Sequence, residues 1–152
     1  MKAVVAALAA LVLIGCSDGG STASPSAGAT IEPSPQAHPA GKLADQVPMP
    51  AGFPADVPIY TKARLTAGAS FSSSGQVAWG MEWQTLDAVA KVRTFYADKL
   101  NQGDWTIQFT STASDSFAAT FKRKSDSQVQ GTLNSSLSTG VTKILMSLVA
   151  PA

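Results

Sequence analysis

The sequence predicts an α+β fold in which one amphipathic helix packs on one face of an antiparallel sheet of about six strands. Three observations carry this prediction. Segments with apolar residues at every second position recur along the last two thirds of the chain. A single segment, between the second and third of these strands, has the period of a helix. No helical stretch separates the last four strands, which excludes parallel crossovers there and gives the order β-β-α-β-β-β-β.

An extended lead-in precedes the first strand. The four prolines at positions 48, 50, 54 and 58 prevent a helix in this stretch. Its apolar side chains are expected to pack against the domain, and they are Phe53, Val57, Ile59 and Tyr60.

The first two predicted strands form a hairpin around a turn at Ser72 to Gly75. Period-two alternation assigns one face of each strand to the core, and the second strand carries four large residues on that face. The predicted inward residues are Ala63, Leu65, Ala67, Ala69 and Phe71 in the first strand and Val77, Trp79, Met81 and Trp83 in the second.

The predicted helix runs from Thr85 to Gln102. Thr85 is a suitable N-cap, Asp87 would complement the helix dipole in the first turn, and Gly103 suits a left-handed C-terminal cap. Helical spacing predicts an apolar face made of Leu86, Val89, Val92, Phe95, Tyr96 and Leu100.

The remaining four strands alternate in the same way, with Ser/Thr/Asp or Ser/Thr/Gly turns between them. Their predicted inward residues are Trp105, Ile107 and Phe109; Phe117, Ala119 and Phe121; Val129, Gly131, Leu133 and Leu137; and Thr142, Ile144, Met146 and Leu148.

The N-terminus has the features of an export signal. Lys2 is followed by 12 apolar residues, a run shorter than the ~20 that a membrane-spanning helix needs. The run ends in Leu13-Ile14-Gly15-Cys16, which resembles the bacterial lipobox. This resemblance implies cleavage after Gly15 and acylation of Cys16 with diacylglycerol and a fatty acid such as palmitate. We therefore expect a lipoprotein anchored to the cell membrane outside the cytoplasm, or to the outer membrane in a bacterium with two membranes.

A flexible tether is predicted to join this anchor to the domain. Of the 25 residues at positions 17–41, 20 are Ser, Gly, Pro, Ala or Thr, which cannot bury enough apolar surface to fold. The predicted organisation is a signal peptide over residues 1–15, the lipidated cysteine and tether over 16–45, and one domain over 46–152.

Several short motifs resemble those of small bacterial lipoproteins, including actinobacterial ones, whose domain is uncharacterised. They are the proline-rich segment from Phe53 to Tyr60, the F-Y-x-x-x-L motif from Phe95 to Leu100, and the G-x-W motif from Gly103 to Trp105. The resemblance covers about residues 50–110 and implies this α+β fold without implying a reaction. It departs from the simpler G-W form of the motif at Asp104.

Composition excludes several classes of function. Charged residues make up 14% of the chain and the net charge is +1, so nothing indicates nucleic acid as a partner. The single histidine, His38, lies in the tether, and the single cysteine is the predicted lipid acceptor. No hydrolase, phosphate-loop or metal-ligand motif is present, so we expect no catalytic residues, metal or cofactor, and no enzyme.

The function expected from these features is a membrane-tethered, non-enzymatic binding or interaction module of the cell envelope, with an envelope protein, polymer or lipid as its partner. The basic run from Lys122 to Lys124 is expected to guard a strand end, or to contact anionic headgroups or cell-wall polymers. An alternative is a carrier or sensor that holds a small apolar ligand or a lipid between helix and sheet, and a third is an enzyme. One helix covers only about half of a six-stranded face, so we expect an uncovered apolar groove. Its predicted lining is Tyr60, Phe71 and Trp83.

Overall fold

The computed structural model describes residues 41–152, all of which belong to one compact unit. They form six strands and one helix in the predicted order, and the α+β prediction is confirmed. The elements are β1 Arg64–Ser73, β2 Gln76–Thr85, α1 Val89–Lys99, β3 Trp105–Thr112, β4 Ser116–Arg123, β5 Gln130–Ser138 and β6 Val141–Pro151.

The strands form one antiparallel sheet in the order β1-β2-β6-β5-β4-β3. The strands from β3 to β6 follow one another as hairpins, and β6 returns to pair with β2. Because β2 and β3 are far apart in the sheet, the chain between them crosses one face, and α1 lies in this crossing. We call the face that α1 covers the inner face and the opposite one the outer face.

The inner face holds the core, in rows of side chains that run across the strands. One row joins Trp83, Ile144, Ser135 and Phe117 through the strand register. These positions are buried, as the alternation predicts. The buried core residues of the strands are Leu65, Trp79, Met81, Trp83, Trp105, Phe117, Ala119, Phe121, Leu133, Ile144, Met146, Leu148 and Ala150.

Two elements cover the inner face. The helix packs over β3, β4 and β5. The later part of the lead-in segment, which spans residues 41–63, covers β1 and β2: the Val47 N–H donates to the Leu65 carbonyl at 2.9 Å, and the Phe53 ring lies 6.2 Å from each of the rings of Trp79 and Trp83. The helix therefore covers only part of the sheet, as the geometry predicts, and the lead-in segment covers much of the rest.

Contacts with the sheet begin before residue 46, the predicted start of the domain. The Ala44 N–H donates to Gln84 Oε1 at 3.0 Å, and Arg64 Nη1 donates to the Ala44 carbonyl at 3.0 Å. The predicted signal peptide, Cys16 and most of the predicted tether lie outside the described residues.

The inward face predicted for β1 is wrong beyond Leu65. The pairing with β2 shifts register between Leu65 and Ala67, so a bulge interrupts the alternation. A one-residue shift moves all later side chains to the other face. The side chains of Ala67, Ala69 and Phe71 consequently lie on the outer face.

The predicted helix is too long at both ends. Thr85 is not an N-cap but the buried last residue of β2, and its hydroxyl accepts a hydrogen bond from the Asp87 N–H at 3.2 Å. Leu86 lies in the turn that follows and is exposed, and Ala88 precedes the helix without a side-chain cap. At the other end, Gly103 has the expected positive φ of 59° but follows the helix end at Lys99 by four residues.

Candidate functional site

The three residues predicted to line a groove occupy different environments. Trp83 is only 1% exposed in the core, and Tyr60 is a buried residue of the lead-in segment. Phe71 is 70% exposed and lies on the outer face, because of the bulge in β1. The structure therefore does not bring these three side chains together, and Tyr60 and Trp83 are too buried to line an open groove.

Two hydroxyl groups of the described residues are buried without a hydrogen-bond partner, one on α1 and one on a strand that α1 contacts. Tyr96 on α1 is 0% exposed, and Ser135 is 3% exposed on β5, a strand that α1 contacts. Neither hydroxyl has a hydrogen-bond partner within residues 41–152. Burial raises the pKa of Tyr96. The Tyr60 backbone lies beside the hydroxyl and lowers this pKa by a smaller amount, although the contact does not have the geometry of a hydrogen bond. An unpaired buried polar group costs about 1–3 kcal/mol of folding free energy. The hydroxyls of Tyr96 and Ser135 would therefore gain stability by forming hydrogen bonds to a bound molecule.

The sequence pattern does not identify either hydroxyl as a candidate for binding. Tyr96 appeared only as one member of the apolar helix face. Ser135 was not singled out, although the alternation of β5 places it on the inner face between Leu133 and Leu137. A polar residue at an inward position of an apolar strand is the signal that could have identified it.

An anchor built on Asp87 fastens the lead-in segment beside this interface. The Tyr60 hydroxyl donates to Asp87 Oδ2 at 2.9 Å, and Lys91 Nζ donates to Oδ1 at 3.2 Å. Thr142 Oγ1 donates to the Asp87 carbonyl at 2.7 Å, which joins β6 to the same point.

The titration of the Asp87 anchor follows from these contacts. The Tyr60 hydrogen bond holds the pKa of Asp87 below its usual value, against the opposing effect of burial, and Lys91 and Lys62 act in the same direction as Tyr60. Burial and the Asp87 carboxylate together raise the pKa of Tyr60 to about 12. The anchor is therefore a neutral phenol bonded to a carboxylate at neutral pH.

A second anchor joins the lead-in segment to β4. Arg123 Nη2 donates to Asp56 Oδ2 at 2.6 Å, and the guanidinium carbon lies 5.0 Å from the ring centroid of Trp105. Asp104 lies 3.8 Å from Arg123 Nε. Stacking on an aromatic ring together with a close carboxylate is an arrangement that suits arginine in particular.

The basic run is divided between these contacts and the outer face. Arg123 forms the second anchor, and Lys124 Nζ donates to the Gly103 carbonyl at 2.8 Å. Lys122 pairs in register with Thr106 and Gln130, and its side chain lies on the outer face. The three residues do not form one basic surface.

Within residues 41–152, no cluster of His, Cys, Asp and Glu side chains could hold a metal ion. In the described part of the chain, α1 is too short to cross a membrane as an apolar helix. His38 and Cys16 lie outside the described residues.

Comparison with known families finds one similarity. Residues 65–138, which are 74 of the 152 residues, match a family described as START domain-like. The match runs from β1 to the end of β5 and includes α1, but it leaves out the lead-in segment and β6. No curated protein and no solved structure matches the chain.

Proposed function

We propose that this protein is a lipid-anchored binding protein outside the cytoplasm, and that it holds a small, mostly apolar ligand between α1 and the inner face of the sheet. The similarity of residues 65–138 to a START-like domain supports a ligand-binding module. The observation that supports the position of the ligand is the pair of unpartnered hydroxyls, Tyr96 on α1 and Ser135 on a strand that α1 contacts. An interaction module for an envelope partner, the other function expected from the sequence, has less support from that similarity.

The chemistry of the interface suggests what the ligand is. Apolar side chains such as Val92, Leu133 and Ile144 pack there, and all three are fully buried. Transfer of apolar ligand surface to such an environment contributes about 25 cal/mol per Å². Each of the two hydroxyls adds one donor and an acceptor for a polar group of the ligand. A ligand with an apolar body and a single polar end, such as a fatty acid, matches both features.

Access to this interface requires the lead-in segment to move. The segment has no helix or strand between residues 41 and 63, and hydrogen bonds from a small number of groups hold it to the sheet and helix. Phe53 and Val57 are among the apolar side chains by which it packs on the core. An irregular segment held in this way opens at lower free energy than a paired strand does. We therefore assign the lead-in segment the role of a displaceable cover.

The anchoring part of the proposal comes from the sequence. The lipobox-like Leu13–Cys16 motif supports a lipid anchor, and the predicted tether would place the domain about 25–30 Å from the anchor. A domain at that distance from a bilayer can take an apolar ligand from the membrane or deliver one to it.

Titration with cis-parinaric acid, a fluorescent chain with one carboxyl group, tests the ligand site. The protein used is the chain from residue 17 onward, which lacks the lipid and needs no detergent. We expect saturable binding to this chain. Tyr96→Phe and Ser135→Ala should each weaken binding about 5-fold, since one hydrogen bond contributes about 1 kcal/mol. Both variants should unfold at the same or higher urea concentration, because each removes an unsatisfied buried hydroxyl.

Tyr60→Phe is the matched control. It also removes one tyrosine hydroxyl, but this hydroxyl is already bonded to Asp87. We expect it to lose about 1–2 kcal/mol of stability without weakening parinaric acid binding. The proposal is wrong if parinaric acid shows no saturable binding, or if Tyr96→Phe and Ser135→Ala bind it as tightly as the unmodified chain.

A further inference from the structure

The outer face of the sheet carries a concave cavity that the proposed function does not use. It has a volume of about 430 Å³ and lies over β3, β4, β5 and β6. This volume is within the range of about 300–1,000 Å³ typical of small-molecule sites. The side chains that line it on the outer face include Thr106, Gln108, Thr120, Lys122, Gln130 and Thr132.

The lining combines apolar residues, among them Ile107, Phe121 and Val149, with these six polar side chains, five of which are exposed to solvent. Within residues 41–152, none of these six side chains forms a hydrogen bond to another protein group. Threonine hydroxyls and glutamine amides both donate and accept. Five neutral groups of this kind around one cavity suit a ligand that carries several hydroxyl groups.

The charge of the cavity is set by one lysine. Lys122 is the ionisable residue among those that line it, and none of the ion pairs in the described part of the chain includes Lys122. By contrast, Lys143, also on the outer face, lies 3.9 Å from Glu82. One unpaired cation among neutral hydrogen-bonding groups is complementary to a ligand with one anionic group.

We propose that this cavity binds a soluble sugar bearing one carboxylate or phosphate group. Lys122 would bind the anionic group, and Thr106, Thr120 and Thr132 would hydrogen-bond to the sugar hydroxyls. A soluble sugar fits better than a charged lipid headgroup, because recruitment to an anionic membrane surface relies on clusters of about 4–8 basic residues and this cavity has one. The cavity lies on the opposite side of the sheet from Tyr96 and Ser135. Failure of the proposed apolar site would therefore leave this proposal intact, and the reverse also holds.

Nuclear magnetic resonance titration of the isotope-labelled full chain tests this site, in a detergent without a sugar headgroup. The probes are glucuronate and glucose 6-phosphate, with glucose and inorganic phosphate as partial ligands and phosphatidylglycerol in mixed micelles as the lipid. We expect the two sugar anions to shift the backbone amide signals of β4 and β5 around Lys122 and Thr132. Glucose or phosphate alone should bind at least 10-fold more weakly.

Variants separate the role of Lys122 from general electrostatics. Lys122→Gln should weaken binding of both sugar anions about 10-fold, and Thr132→Val, which keeps the side-chain shape, should weaken it several-fold. Lys143→Gln removes a positive charge from the same face outside the cavity lining and should leave the affinity unchanged. The proposal is overturned if the sugar anions cause no shifts around Lys122 and Thr132, or if only phosphatidylglycerol binds. It is also overturned if phosphate binds as tightly as glucose 6-phosphate, or if Lys143→Gln weakens binding as much as Lys122→Gln.

Discussion

Truncating Trp83 and Phe71 to alanine should have opposite consequences, although simple alternation assigns both side chains to one face of a hairpin. In the structure, Trp83 is 1% exposed on the inner face. It is paired in register with Leu65 and Ile144 and lies under the Phe53 ring. Phe71 lies beyond the β1 bulge with most of its ring in solvent. We therefore expect Trp83→Ala to be severely destabilising and Phe71→Ala to be nearly neutral.

The magnitudes follow from burial. Replacing a buried tryptophan by alanine costs about 3–5 kcal/mol, because apolar contacts are lost and a cavity remains. The whole domain is stabilised by about 5–15 kcal/mol, so Trp83→Ala removes a large fraction of its stability. An exposed substitution away from such features changes stability by less than about 0.5 kcal/mol, and this is the value that we expect for Phe71→Ala.

Urea unfolding followed by far-ultraviolet circular dichroism measures both effects without relying on tryptophan fluorescence. The two variants and the unmodified chain, each from residue 17 onward, are compared at one pH and temperature. A Trp83→Ala variant that loses less than about 1 kcal/mol would refute the burial argument. A Phe71→Ala variant that loses more than about 2 kcal/mol would refute the bulge and the register that places Phe71 outside.

Two further predictions concern the Asp87 anchor and the lipid anchor. Because the folded-state pKa of Asp87 is below its usual value of 3.8, its carboxylate stabilises the fold above that pH, and the contribution is lost as the pH falls through the folded-state pKa. Urea unfolding at pH 7 and pH 3 should therefore show a smaller acid-induced loss in Asp87→Asn than in the unmodified chain, and equal losses would contradict the anchor. Cys16→Ser should abolish membrane attachment, because the variant has no thiol to accept the lipid. A detergent partitioning assay measures this as loss of the protein from the detergent phase. A variant that stays in the detergent phase after its signal peptide is removed would contradict the lipobox interpretation.

Local periodicity was sufficient to predict most of the elements. Alternation in β2, β4 and β6 placed Trp79, Phe121 and Ile144 in the core, because a strand buried on one face repeats its apolar residues every second position whatever its neighbours are. The helix face was correct at Val92 and Tyr96 for the corresponding reason. The connections between β3, β4, β5 and β6 are too short to contain a crossover helix. This was enough to predict that these strands pair as antiparallel hairpins. These properties depend on residues close in sequence.

The candidate sites depend on contacts between residues distant in sequence, which alternation does not encode. The bulge after Leu65 arises in the pairing of β1 with β2 and moves Phe71 to the outer face. Thr85 is a residue type that is preferred at helix N-caps, but its pairing with Thr142 makes it the last residue of β2. The unpartnered hydroxyls of Tyr96 and Ser135 and the cavity beside Lys122 exist only once helix, lead-in segment and four strands are assembled. The sequence by itself thus determined the elements, their order along the chain and most of the core of this protein. The strand order in the sheet, the register and the packing, which depend on distant residues, decided which side chains remain without a partner.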